Sequence, residues 1–414
     1  MFTQQLKNGL GIMRNVTRAS IAALTLAIFG FSVSAHATDI TASERAIRIA
    51  QESMIIDTHI DVPYRLINDW EDVSKATQRG DFDYERAVAG GLNAPFMAIY
   101  IPSSYEDNGA YTLANHLIDF MEALVYRAPE KFAIPHSVDD LFAHKEAGLM
   151  SLAMGMENGA PIEGSFEKLQ HFFDRGVRYI TLAHSEDNHI SDSSYDIRGT
   201  WGGLSPFGKE LVVEMNRIGM MVDVSHISDK AFYDVLEITK VPVIATHSSA
   251  RRFTPGWQRN MNDDMIKALA ENDGVIQVTF GSTFVTQQAN QHRARIQRLT
   301  REINQRLGEG TEEAQAAVAR MREENPYPFA TLKDVLDHID HIVELVGINH
   351  VGIGSDYDGV GDTLPVGLKD VRTFPNLIQG LLDRGYSEED IDKILFANTV
   401  RAWRAAEAYA AANQ

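Results

Sequence analysis

The sequence predicts an α/β chain closed into a (β/α)8, or TIM, barrel with a helical insertion before its last strand. Three observations lead there. Eight short apolar runs alternate with longer segments of helical period, imidazoles and carboxylates recur where those runs end, and one charged stretch interrupts the alternation late in the chain. Such alternation gives parallel strands covered by helices. Eight of them between residues 54 and 353 suit a closed barrel better than a doubly wound open sheet.

The elements follow in order. Residues 1–37 carry Lys7, Arg14 and Arg18 and no acid, then an apolar run over 19–35 that ends in Ala35-His36-Ala37. That is the layout of a secretory signal cleaved after Ala37, too short and too rich in small and hydroxyl residues for a comfortable membrane span. The rest, 38–414, reads as one barrel domain, because no Pro- or Gly-rich linker, repeat or low-complexity tract divides it. Strands are expected at 54–57, 94–99, 150–154, 179–183, 221–224, 243–245, 275–279 and 351–353. Between them, Leu211, Val212, Met215 and Ile218 form one helical face. Leu332, Val335, Leu336, Ile339, Ile342 and Val343 form another, with Thr331 and Asp334 spaced as a capping box. Residues 287–325, rich in Arg, Gln, Glu and Ala, read as a helical hairpin inserted between the seventh and eighth strands.

Composition narrows the function. Of 414 residues 44% are hydrophobic and 23% charged, which excludes a disordered chain. The formal net charge is −19, and without the first 37 residues 35 basic side chains face 57 acidic ones, net −22. So acidic a surface argues against a nucleic-acid partner. There is no cysteine, which removes disulfides, thiol catalysis and Cys-ligated metal.

The polar residues at the strand ends are His59 and Asp61, Glu157, His184, His226, His247 and Asp356. In a barrel the carboxyl ends of the strands converge on one face. In His59-x-Asp61 both side chains of an alternating pair reach that face. A lone histidine is more often a hydrogen-bonded core residue. Four at strand ends with three acids form a set suited to a borderline divalent ion such as Zn2+, without which clustered carboxylates would be costly to bury. Two ions bridged by Glu157 and a hydroxide fit the number of donors. Asp356 is the expected proton carrier, with Asp358 as its rival.

The stretches IIDTHIDVP, MGMENG, ITLAHSEDN, VDVSHIS, ATHSSA and GIGSDYDG resemble the membrane (renal) dipeptidase family of the amidohydrolase superfamily, in family order and over nearly all of the chain after the signal. The resemblance implies a metal-dependent hydrolase barrel with two zinc ions that cleaves dipeptides. It implies that His59 and Asp61 bind one zinc, His226 and His247 the other, and Glu157 both. It further implies Asp356 as acid/base, His184 as the group that steadies the scissile carbonyl, and Arg259 as the holder of the substrate carboxylate. On its own, Arg259 reads equally as a surface partner of Asp263 or Asp264, and Arg251 and Arg252 are its rivals. Mammalian members have cysteine bridges and a lipid-anchor tail, and this chain has neither. The expected protein is an exported, periplasmic or secreted dipeptidase acting on a small dipeptide, with no membrane anchor after cleavage; a homodimer is compatible with it. The alternative is a binuclear-zinc N-acyl-amino-acid amidase or another small-molecule amidohydrolase.

Overall fold

A computed structural model gives the placement of residues 41–413. The expected signal, 1–37, lies outside the described residues. Eight parallel strands make one sheet: β1 Ile56–Ile60, β2 Ala94–Tyr100, β3 Ala153–Glu157, β4 Val177–Thr181, β5 Met221–Asp223, β6 Ile244–Ala245, β7 Val275–Val278 and β8 Val351–Ile353. Each pairs with the next in chain order. Beyond β8 the chain returns to β1. The Asp356 N–H donates to His59 O (3.0 Å) and the Asp61 N–H to Tyr357 O (2.9 Å), so the barrel is all but closed along that seam.

All eight expected barrel strands form, with limits shifted by a few residues and one run divided. The run at 150–154 splits at Leu152: Met150–Ser151 pairs with Phe132–Ala133 in a small separate sheet, and the barrel strand is Ala153–Glu157. Residues from strands around the ring meet in the interior, where Ile56, Phe96, Tyr179, Met221, Ile244 and Val275 pack with Trp403 of the helix Asn398–Ala412. A larger buried cluster joins the outer faces of the strands to the helices.

The helices follow their sequence signals. Pro206–Ile218 buries Leu211, Val212, Met215 and Ile218, and Leu332–Val346 begins with the Thr331–Asp334 capping box. The insertion is a hairpin of two helices, Gln287–Leu307 and Glu312–Glu324, which bury only Ala289, Ala314 and Met321. Among the described residues no helix is long and apolar enough to cross a membrane.

Register sets the level of the site. Tyr100 is paired with Glu157, Glu157 with Thr181, and Thr181 with Asp223, a ring of polar residues at the carboxyl ends of β2 to β5.

Candidate active site

His59 is the fourth residue of β1 and Asp61 follows its end; Glu157 ends β3; His184, His226, His247 and Asp356 stand in the loops just past β4, β5, β6 and β8. All seven converge. The carboxylate of Glu157 is the hub: its Oε2 lies 3.4 Å from His59 Nε2, and its Oε1 lies 3.1, 3.2 and 3.5 Å from Nε2 of His226, His247 and His184. Asp61 Oδ2 is 3.4 Å from His59 Nε2. Three overlapping groups have donor atoms within 4.8 Å of one another: His59, Glu157 and His247; Glu157, His184 and His226; His59, Asp61 and Asp356.

Two imidazoles are turned inward by hydroxyls that sequence reading did not single out. Tyr179 O–H donates to Thr58 O (2.9 Å), so its oxygen receives the Nδ1–H of His59 at 3.0 Å. Thr246 O–H donates to Asp223 Oδ2 (2.7 Å), so its oxygen receives the Nδ1–H of His247 at 2.9 Å. Each ring therefore presents a bare Nε2 to the center, and that of His59 is buried without a hydrogen-bond partner among the described residues. His226 Nε2 faces His247 Nε2 at 2.7 Å. Two ring nitrogens at that separation need a proton or a cation between them, and inward nitrogen lone pairs beside carboxylate oxygens are the donors a divalent transition metal takes. The residues present fit such an ion.

Electrostatics agrees. Burial opposes charge on His59, yet Tyr179, Glu157 and Asp61 hold its pKa well above the usual imidazole value; where these acids draw a proton, they would also draw a cation. Burial raises Glu157, but the four surrounding imidazoles outweigh it and keep the carboxylate ionized. His226 and His247 are held neutral, first by burial and then by neighboring positive charge. Burial, then Asp61, pushes Asp356 well above the carboxylate range. His226 (φ 68°), Asp356 (φ 66°) and Asn158 (φ 76°), next to Glu157, occupy the left-handed region. For side chains other than glycine that conformation is strained, and such strain collects at functional sites.

The rivals are engaged elsewhere. Asp358 forms an ion pair with Arg65 (3.0 Å) and accepts from the Asp81 N–H (2.6 Å). Arg251 is bound to Asp229, and Arg252 is exposed. Arg259 makes no surface pair with Asp263 or Asp264. Only 2% exposed, it donates from Nη1 to Ser248 Oγ (2.8 Å) and from Nη2 to His247 O (2.6 Å), with Nη2 3.1 Å from His226 Nε2. It lies against the histidines, and among the described residues no acid is paired to it. The site opens into a cleft of about 1240 Å3 whose lining includes Tyr100, Tyr195 and His184.

The sequence pattern of the membrane dipeptidase family, peptidase family M19, matches residues 43–414. The chain belongs to that family. It is 31% identical over 389 residues to an uncharacterized dipeptidase of Schizosaccharomyces pombe, covering 88% of this chain and 83% of that one. It is 31% identical over 373 residues to dipeptidase 3 of Mus musculus, covering 88% and 66%. Among solved structures, the probable dipeptidase PvdM from Pseudomonas aeruginosa superimposes with a TM-score of 0.77 at 26% identity, covering 88% of this chain and 98% of that one. A metallopeptidase from Rhodobacter sphaeroides, liganded with a phosphinate mimic of L-Ala-D-Ala, shares the fold with a TM-score of 0.70 at 23% identity, covering 86% and 100%. The enzyme is thus a metallo-dipeptidase, and its buried His/Glu cluster is the candidate metal center.

Proposed function

We propose that this dipeptidase is exported under the direction of residues 1–37 and works with two zinc ions, one on His59 and Asp61, the other on His226 and His247, both shared by Glu157. The observation that carries this reading is the division of Glu157: Oε2 turns to His59, while Oε1 turns to His226 and His247. The donors are nitrogen and oxygen only, a set that suits zinc. When bound, such ions acidify water toward neutral pH and polarize a carbonyl.

The chain's own residues supply the rest. Asp356 stands beside Asp61 in a buried setting that raises its proton affinity, so its carboxylate can take the proton of the attacking water and, once protonated, pass it to the leaving amine nitrogen. His184 is the most open of the four imidazoles, its side chain 17% exposed and lining the cleft. There it donates to the carbonyl oxygen as negative charge grows, a contact whose loss costs on the order of 10²–10³ in rate. Arg259 offers a planar fork to the α-carboxylate.

The test is a panel of L/L and L/D dipeptides with metal content measured alongside. Glu157→Gln is expected to lose metal; Asp356→Asn is expected to keep metal and lose rate. A dipeptide with its carboxylate blocked should be a poor substrate. Equal turnover of blocked and free dipeptides would favor an amidase without a carboxylate requirement, and a fully active Asp356→Asn would remove that residue from proton transfer.

A further inference from the structure

The helical hairpin inserted before β8 folds back over the cleft. Arg293, Ile296 and Gln297 of its first helix, spaced i, i+3, i+4, line the cleft together with Arg322 at the end of the second. The base of the hairpin is fixed: His292 Nε2 donates to Asn325 O (3.0 Å), and Tyr327 O–H and Thr283 O–H share a hydrogen bond of 2.9 Å. Arg293 therefore sits on an anchored turn of helix.

The charge on this wall is uncompensated. Outside the metal center, the acids of the cleft already have cations: Asp358 has Arg65 (3.0 Å), Asp69 has Arg79 (2.7 Å) and Asp362 has Lys369 (3.8 Å). Elsewhere on the hairpin Arg298 lies beside Glu302. Among the described residues neither Arg293 nor Arg322 has a carboxylate partner. Arg293 instead lies 5.9 Å above the Trp257 ring; that ring stacks on Phe284 (5.2 Å), and Arg259 lies 5.2 Å from Phe284. One aromatic pair thus carries both guanidiniums, and Tyr195 packs against Trp257 and His226 beside it.

We propose that Arg293, with Arg322 at the rim, selects dipeptides whose carboxyl-terminal residue has an acidic side chain, that is, X-Glu or X-Asp. The inference rests on the dipeptide reading above. Arg259 holds the α-carboxylate, and the side chain of the same residue lies nearest the wall that Arg259 and Arg293 share through Trp257 and Phe284. A guanidinium with no acid of its own attracts that carboxylate across the cleft, and the Trp257 face keeps it extended toward the substrate.

The experiment compares Ala-Glu with Ala-Gln, in both stereochemistries at the second residue, and Glu-Ala with Gln-Ala. The metal-loaded full-length enzyme should show a kcat/KM ratio of Ala-Glu to Ala-Gln of about two- to fivefold, the range expected of a partly exposed ion pair. The ratio should shrink as salt rises. Arg293→Gln should bring it to about one, and Arg293→Glu should invert it and favor Ala-Lys. A wild-type ratio of one, a ratio unchanged in Arg293→Gln, or discrimination confined to the Glu-Ala pair would overturn the proposal. Calorimetric binding of the same dipeptides to Asp356→Asn provides a second readout. A binding preference in that variant with no turnover by the wild-type enzyme keeps the selectivity and removes the proposed reaction; wild-type turnover of all dipeptides without preference does the reverse.

Discussion

A Cβ built on Gly359 would lie 2.2 Å from Asp61 Oδ2 and 2.4 Å from Asp356 Oδ1. Both are the free ends of side chains, so Gly359→Ala can be accommodated by swinging the two carboxylates away while the backbone stays in place. The expected variant unfolds within a few degrees of the parent yet loses metal occupancy and about 100-fold in kcat/KM, the scale of an ångström misplacement of reacting groups. Retained metal and rate would show that these carboxylates tolerate displacement. The glycine follows Tyr357 and Asp358 in the motif GIGSDYDG, so the position was on view in the sequence, but its reason was not. Only the folded seam brings β1 and the turn after β8 together and leaves room there for a hydrogen atom and nothing larger.

At the scale of the strand, the ligands are aimed by their neighbors. Asp223 at the end of β5 accepts from the backbone N–H of Ser225 and Thr246 (both 2.9 Å) and from the hydroxyls of Thr181 and Thr246. With its oxygens filled, it fixes the Thr246 hydroxyl as an acceptor for His247. Tyr179 does the same for His59 from β4. Thr246→Val and Tyr179→Phe should each weaken metal binding about 10- to 100-fold, measured by competition with a chelator, and Thr246→Ser should restore it. Unchanged affinity in both would mean that the ring orientations are set by packing alone. These partners were illegible in the sequence because each lies on a different strand from the histidine it orients, or beside it with a role fixed by the neighboring strand. The histidines and acids themselves were legible, since a barrel gathers whatever ends its strands. Strand limits were less so. The first strand was read as 54–57 from its apolar run, whereas Ile56–Ile60 continues through Asp57, Thr58 and His59. Each of those polar residues has at least one hydrogen bond inside: Thr58 O–H donates to Thr246 O (2.6 Å), Asp57 Oδ1 accepts from Ser355 N–H (2.9 Å), and His59 Nδ1 lies 3.0 Å from the Tyr179 hydroxyl.

For the whole molecule, His338 joins three parts of the chain that surround the site. It is fully buried in the helix Leu332–Val346. Its Nδ1 accepts from the Ala250 N–H (3.0 Å), in the segment that leads to Arg259, and its Nε2–H donates to Val285 O (2.9 Å), just before the insertion. His338 stands off the catalytic face, and its role is to hold these parts together. Burial, with His341 adding to it, lowers its pKa to about 4, against the pull of the Val285 carbonyl, Asp337 and Asp334. An unfolded histidine titrates near ~6.5. The folded pKa is therefore the lower one, so the neutral imidazole stabilizes the native state fully above pH ~6.5. That contribution falls as the pH drops, because only the unfolded chain takes up the proton, and it is gone below about 4. The change amounts to about 3 kcal/mol. Carboxylates and metal ligands titrate over the same interval, so the useful quantity is a difference. His338→Gln can donate to Val285 O and accept from Ala250 N–H but binds no proton. Denaturant unfolding of both proteins at each pH should show the parent losing about 3 kcal/mol relative to the variant between pH 6.5 and 4. Parallel pH profiles would mean that burial between the Arg259 segment and the insertion does not lower the proton affinity of His338 in the folded protein.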